Sequence, residues 1–145
     1  MLPSTMDRVQ QKTAPEVNRW IQQMMQDNVA FAASEGRDRV GERIGVLRRE
    51  WDIERIIELN AAAAVMLTTA LGFTKSRVWF AASGVIAGFL FQHALQGWCP
   101  PIPVLRHLGV RTASEIQAEI TALKALRGDF SATSDPDEAT LQAAH

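Results

Sequence analysis

From residue 78 to residue 105 the chain reads VWFAASGVIAGFLFQHALQGWCPPIPVL, without one Lys, Arg, Asp or Glu. Its apolar part, residues 78–95, is 18 residues long. As a helix that is about 27 Å at roughly 1.5 Å per residue, close to the hydrocarbon thickness of a bilayer, about 30 Å. A second uncharged run precedes it at residues 59–74, LNAAAAVMLTTALGFT. Extending this run back over IERIIE lengthens the helix but brings in Glu54, Arg55 and Glu58. Those charges then belong at headgroup level or against a partner, because a charge at mid-bilayer costs several kcal/mol. Between the runs stands GFTKSR, where Gly72 is expected to break the helix and Lys75 and Arg77 to hold a turn in water. The pattern predicts two membrane-spanning helices joined as a hairpin. The alternative is a soluble helical bundle whose two central helices are buried all round.

Average composition hides this segregation. The 145 residues carry 47% apolar side chains, a net charge of -1 and a mean hydropathy of -0.05. That length suits one domain. The missing basic surplus argues against a nucleic-acid partner. One cysteine excludes an internal disulfide and a multi-cysteine zinc site. The opening MLPSTMDRVQQKTAPE lacks the regions of a secretory signal, so the N-terminus is expected to be kept.

Tryptophan and arginine placement refine the expectation. Trp51, Trp79 and Trp98 each stand beside an end of an apolar run, as interfacial anchors do; only Trp20 lies elsewhere. Arg37, Arg39, Arg43, Arg48, Arg49 and Arg55 precede the first run, and Arg106 and Arg111 follow the second. The turn has only Lys75 and Arg77. By the positive-inside rule both termini face the cytoplasm. Cys99 would then lie at a face where thiols are kept reduced.

The flanks read as amphipathic helices. Thr13-Ala14-Pro15-Glu16 is a capping box with proline in the first turn. It opens a helix with Val17, Trp20, Ile21 and Met24 on one face, and Gly36 is its expected stop. A second helix places Val40, Ile44, Leu47 and Trp51 on one stripe, with no proline to keep it from running into the first span. Such a basic helix can lie along an anionic membrane surface or pack on the helix before it. After the second span, Pro100, Pro101 and Pro103 forbid the helix from continuing. Thr112-Ala113-Ser114-Glu115 is a second capping box, opening a helix with Ile116, Ile120 and Leu123 on one face and ending at Gly128. The acidic tail that follows is too poor in apolar residues to order itself.

Few residues point to chemistry. Gly84 and Gly88 lie four apart in GVIAG, which lets another helix approach closely, within the hairpin or across a dimer. Glu58, Asn60 and His93 stand near the same end of an antiparallel pair, as a polar cluster for a relay or for a structural hydrogen bond. Cys99 is the candidate reactive thiol, yet it follows a helix C-terminus, whose partial negative charge opposes thiolate formation. A packing role suits it better. No catalytic set, metal site or cofactor-binding motif emerges.

The pairing of IERII, opening the first span, with GWCP, closing the second, resembles the YgaP-like transmembrane family of unknown function, over residues 52–112. In that family the hairpin occurs alone or fused to a rhodanese sulfurtransferase domain. The resemblance implies a bacterial inner-membrane hairpin that dimerises, with a connection to sulfur handling. Nothing here matches the rhodanese domain, so its activity does not carry over.

The expectation is an all-α protein in five segments. Residues 1–12 are a flexible N-terminus, 13–51 amphipathic cytoplasmic helices, and 52–112 a two-span transmembrane hairpin. Residues 113–128 are an amphipathic helix and 129–145 a disordered acidic tail. Its expected role is that of a non-enzymatic, multi-pass inner-membrane module in a lipid bilayer, self-associating as a homodimer or recruiting a membrane-protein partner. The rivals are a sulfur relay through Cys99, transport of a sulfur anion with Arg55 and His93 near the spans, and the soluble bundle.

Overall fold

A computed structural model describes residues 7–130, and every element among them is helical: α1 (Arg8–Gln11), α2 (Pro15–Glu35), α3 (Arg37–Leu47), α4 (Ile53–Thr74), α5 (Val78–Gln96), α6 (Ile102–His107) and α7 (Ala113–Arg127). The chain divides into two compact units. The first holds Met1–Gln23 and Trp51–Ile116, the second Met24–Glu50 and Gln117–His145, so α2 and α7 each contribute to both.

In the first unit α4 and α5 are long and apolar enough to cross a membrane. At about 1.5 Å per residue, the 22 residues of α4 and the 19 of α5 reach about 33 and 28 Å. Asp52 starts α4 by accepting a hydrogen bond from the Arg55 amide at 2.7 Å, and the Ile53 amide donates to the Arg111 carbonyl at 2.9 Å. The two helices pack against each other through small and polar groups. The Thr68 and Ser83 hydroxyls are 2.6 Å apart, and Thr69 and Ser83 are 3.0 Å apart. Gly72 does not end α4. It lies buried inside the helix, where an added Cβ would stand 2.7 Å from the Phe80 ring. Its smallness admits Phe80, which also meets Phe73 edge-on with ring centroids 5.0 Å apart. The helix ends two residues later.

Beyond α5 the chain departs from expectation once more. Gly97, at φ 71°, closes α5 in the left-handed conformation that glycine adopts most readily. Prolines 100, 101 and 103 then do more than stop a helix, because they open α6, where a missing N–H in the first turn costs no hydrogen bond. Part of the segment read as flexible, residues 1–12, is helical. Residues 8–11 form α1, and Val9 is buried in the core with Ile53, Ile57, Cys99 and Ile102. The Thr13 hydroxyl donates to the Val9 carbonyl at 2.8 Å and so helps close α1. Residues 1–6 of that segment lie outside the described residues, as does the acidic tail beyond Phe130.

The second unit is built as the hydrophobic stripes predict. Val40, Ile44 and Leu47 on α3, Ala32 on α2, and Ile120 and Leu123 on α7 are buried. Gly36, at φ 101°, separates α2 from α3. Arg43 pairs with the buried Glu119 at 2.9 Å. The stripe does not reach Trp51: α3 stops at Leu47, residues 48–52 are non-helical, and Trp51 is exposed. The helix therefore does not run on into α4, because Asp52 caps a new start.

Candidate functional site

The most distinctive environment in the first unit surrounds the end of α5. Cys99 is 6% exposed, a free thiol in the apolar cluster of Val9, Ile53, Ile57 and Ile102. Burial pushes its thiol above the ordinary value, the opposite of what a nucleophilic cysteine requires. Beside it, Ile56, Asn60 and Ala61 of α4, Ile86, Phe89 and Leu90 of α5, and Pro100, Pro101 and Leu105 enclose a groove of about 520 Å³. No charged residue lines it.

Arg8 fastens α1 over the end of α5. Its Nη1 donates to the Ala94 carbonyl at 2.8 Å, satisfying one of the acceptors that a helix C-terminus leaves open. A Cβ on Gly97 would come within 2.6 Å of the Arg8 side chain, so glycine serves there both the backbone angle and the close approach.

The expected polar cluster does not assemble as a hydrogen-bonded set. Asn60 turns back to donate to the Ile56 carbonyl of its own helix at 2.8 Å. Glu58 is exposed. His93 is 4% exposed, and its buried Nδ1 has no partner. Glu58 and Arg8 reach the imidazole only through space.

The ordered polar centre lies instead at Arg106, fully buried at 0% exposure. Its Nη1 donates to Glu115 Oε2 at 2.6 Å and its Nη2 to Glu115 Oε1 at 2.8 Å. The guanidinium also donates to Asn18 Oδ1 at 2.8 Å and the Val110 carbonyl at 3.2 Å. This joins the first turn of α2, α6 and the start of α7. Glu115 at the same time completes the expected capping box: the Thr112 amide donates to Oε2 at 2.9 Å, and the Glu115 amide donates to Thr112 Oγ1 at 3.2 Å. Burial alone would raise the Glu115 carboxyl; Arg106, Thr112 and Gln10 together outweigh it and hold the group below its ordinary value. The box was legible as a local motif. The buried bidentate pair was not, since nothing local marks Arg106 apart from the other arginines.

Gly84 and Gly88 are open: nothing beyond their own helix and chain neighbours stands within 4 Å of a Cβ built at either. They are not part of the α4–α5 contact. Trp51 and Trp79 are exposed, the former beneath the Arg55 guanidinium at 4.4 Å, and Trp98 is half-buried. Among the described residues no group of three His, Cys, Asp or Glu side chains is placed to hold a metal. Compared with protein-family models, curated proteins and solved structures, the chain matches none.

Proposed function

We propose that the chain is an integral membrane module of the bacterial inner membrane, with α4 and α5 crossing as a two-span hairpin and both termini in the cytoplasm. The observation that carries this is the exposure of the apolar helices. Only 17% of the most apolar window of α4 and 6% of that of α5 is buried, whereas the core helix of a soluble protein would be mostly covered. Met66, Phe73, Val78 and Phe91 point outward, while Thr68, Ser83 and Gly72 occupy the contact between the helices. Small and hydroxylated residues inside and bulky hydrocarbon outside is the arrangement that lipid solvent favours. The exposed Arg37, Arg39, Arg48, Arg49 and Arg55 support a cytoplasmic N-terminus. The likeness of IERII and GWCP to YgaP-like hairpins points the same way.

The role supported best is non-enzymatic self-association through the open Gly84/Gly88 face, a surface the hairpin itself leaves unused. Recruitment of a second membrane protein would use the same face. A sulfur relay gains no support, because Cys99 is buried and its thiol is shifted away from the thiolate.

The test is retention in the membrane pellet after an alkaline carbonate wash, followed by cross-linking in the membrane of the native chain and of Gly84→Ile with Gly88→Ile. The reading expects retention of both chains and loss of the dimer only in the variant. Release into the supernatant would refute the hairpin. A cross-linking pattern indifferent to the substitutions would refute the interface.

A further inference from the structure

The groove beside Cys99 has a chemistry and a position that select its occupant. We propose that it holds one acyl chain of a bilayer phospholipid, an inference that rests on the membrane reading given above.

The wall of the groove is almost wholly apolar. Its only polar side chains are the Asn60 amide and the Cys99 thiol, and Asn60 already spends a donor on the Ile56 carbonyl. The segment that closes the groove is quiet in its backbone as well. Pro100 and Pro101 have no N–H, and the carbonyls of Cys99 and Pro101 accept from the Ile102 and Leu105 amides, each at 3.0 Å. A charged ligand would find no counter-charge there. A peptide would bring backbone groups that this wall cannot satisfy, at several kcal/mol each in an apolar setting. A hydrocarbon chain asks for nothing the wall lacks.

Size and place suit a hydrocarbon chain as well. A volume of about 520 Å³ falls within the 300–1,000 Å³ or so typical of small-ligand sites. The groove runs from the first turns of α4 and the proline segment after α5 to the middle of α5, on the side at which Trp51 and Trp98 stand beside the helices. Tryptophans of that kind mark headgroup level, so the groove lies where the upper part of an acyl chain runs. It is also continuous in chemistry with the exposed apolar residues of α4 and α5, so a chain enters sideways from the bilayer without crossing a polar barrier.

The experiment uses the full chain in nanodiscs containing a phospholipid with a photoreactive diazirine in one acyl chain, with adducts mapped by mass spectrometry. Three chains are compared: native, Ala61→Trp, which fills the groove, and Ala62→Trp, which adds the same bulk one residue on at an exposed position outside it. The expected result is labelling concentrated on residues 99–105, falling at least tenfold in Ala61→Trp and unchanged in Ala62→Trp, with labelling of outer-face residues such as Met66 equal in all three. Labelling of residues 99–105 that ignores Ala61→Trp would overturn the site while leaving the membrane reading intact. No adduct on any α4 or α5 residue would overturn the membrane reading and the site with it. A second measurement needs no variant: N-ethylmaleimide should alkylate Cys99 several-fold more slowly when phospholipid is added back to delipidated protein in detergent. An unchanged rate would count against the groove as the lipid's seat.

Discussion

The core of the second unit and the α4–α5 contact of the first bury opposite kinds of residue. In the second unit, Val40, Ile44, Leu47, Ile120 and Leu123 are inside, while Arg37, Arg39, Arg48 and Arg49 are outside. Along α4 and α5 of the first, Thr68, Ser83 and Gly72 lie at the helix contact, and Met66, Phe73, Val78 and Phe91 face out. The same chemistry produces both if the surrounding solvent differs. Water drives hydrocarbon inward; lipid gives hydrocarbon no reason to hide and leaves packing and hydrogen bonds to hold helices together. The first unit also keeps a water-type interior of its own, around Val9, Ile53, Ile57 and Ile102, next to the Arg106–Glu115 pair. The unit thus joins an apolar core of the ordinary kind to two long helices that are apolar enough to cross a membrane.

Substitutions in the two settings sharpen this contrast. The largest effect is expected at the buried ion pair. Arg106→Leu leaves Glu115 without its partner, and such an orphaned charge costs about 3–5 kcal/mol, read as a lowered urea midpoint in detergent. Because the Glu115 carboxyl is held below its ordinary value, its contribution is complete above the unfolded glutamate pKa, about 4.3. It is lost as pH falls through the lower folded value. Arg106→Leu should flatten that acid limb, and a limb that keeps its shape would show that the pair does not set it.

A matched pair of truncations comes next. Leu123→Ala in the second unit should cost about 2–5 kcal/mol, as cavity-forming changes in a water-type core do. Met66→Ala on the outer face of α4 should stay within about 0.5 kcal/mol, as surface changes do, when unfolding is followed in detergent. Equal losses at the two sites would break the comparison. Between those two lies the effect expected at Thr68→Val, which removes the hydroxyl contact to Ser83. Hydrogen bonds between helices in lipid average about 0.6 kcal/mol with a maximum near 1.7, and a loss well beyond that would mean that the contact organises more than its own pair.

The sequence made the helical elements legible wherever a rule works locally. The uncharged runs marked α4 and α5, the stripes of α3 and α7 named their buried residues, and Thr112 to Glu115 spelled its own cap. It misled where the partner was remote. Gly72 looked like a helix stop because the Phe80 ring that needs its smallness is eight residues away. Thr13 read only as the start of α2, although its hydroxyl also donates back to Val9 at the end of α1. Arg106 looked like a topogenic surface charge because Asn18 and Glu115 meet it only in the folded chain. The prolines after Cys99 read as an end, although the same ring geometry also begins a helix.

The most direct test of the membrane claim is a spin label at Met66→Cys in a Cys99→Ser background, reconstituted into bilayers and read by power saturation against oxygen and against a water-soluble nickel chelate. A lipid-facing α4 gives collisions with oxygen and protection from nickel at Met66, which lies midway along α4 and is exposed, with the reverse balance at a label replacing Arg48. Ready collision of the Met66 label with nickel would place the outer face of α4 in water and rule out a membrane-spanning α4.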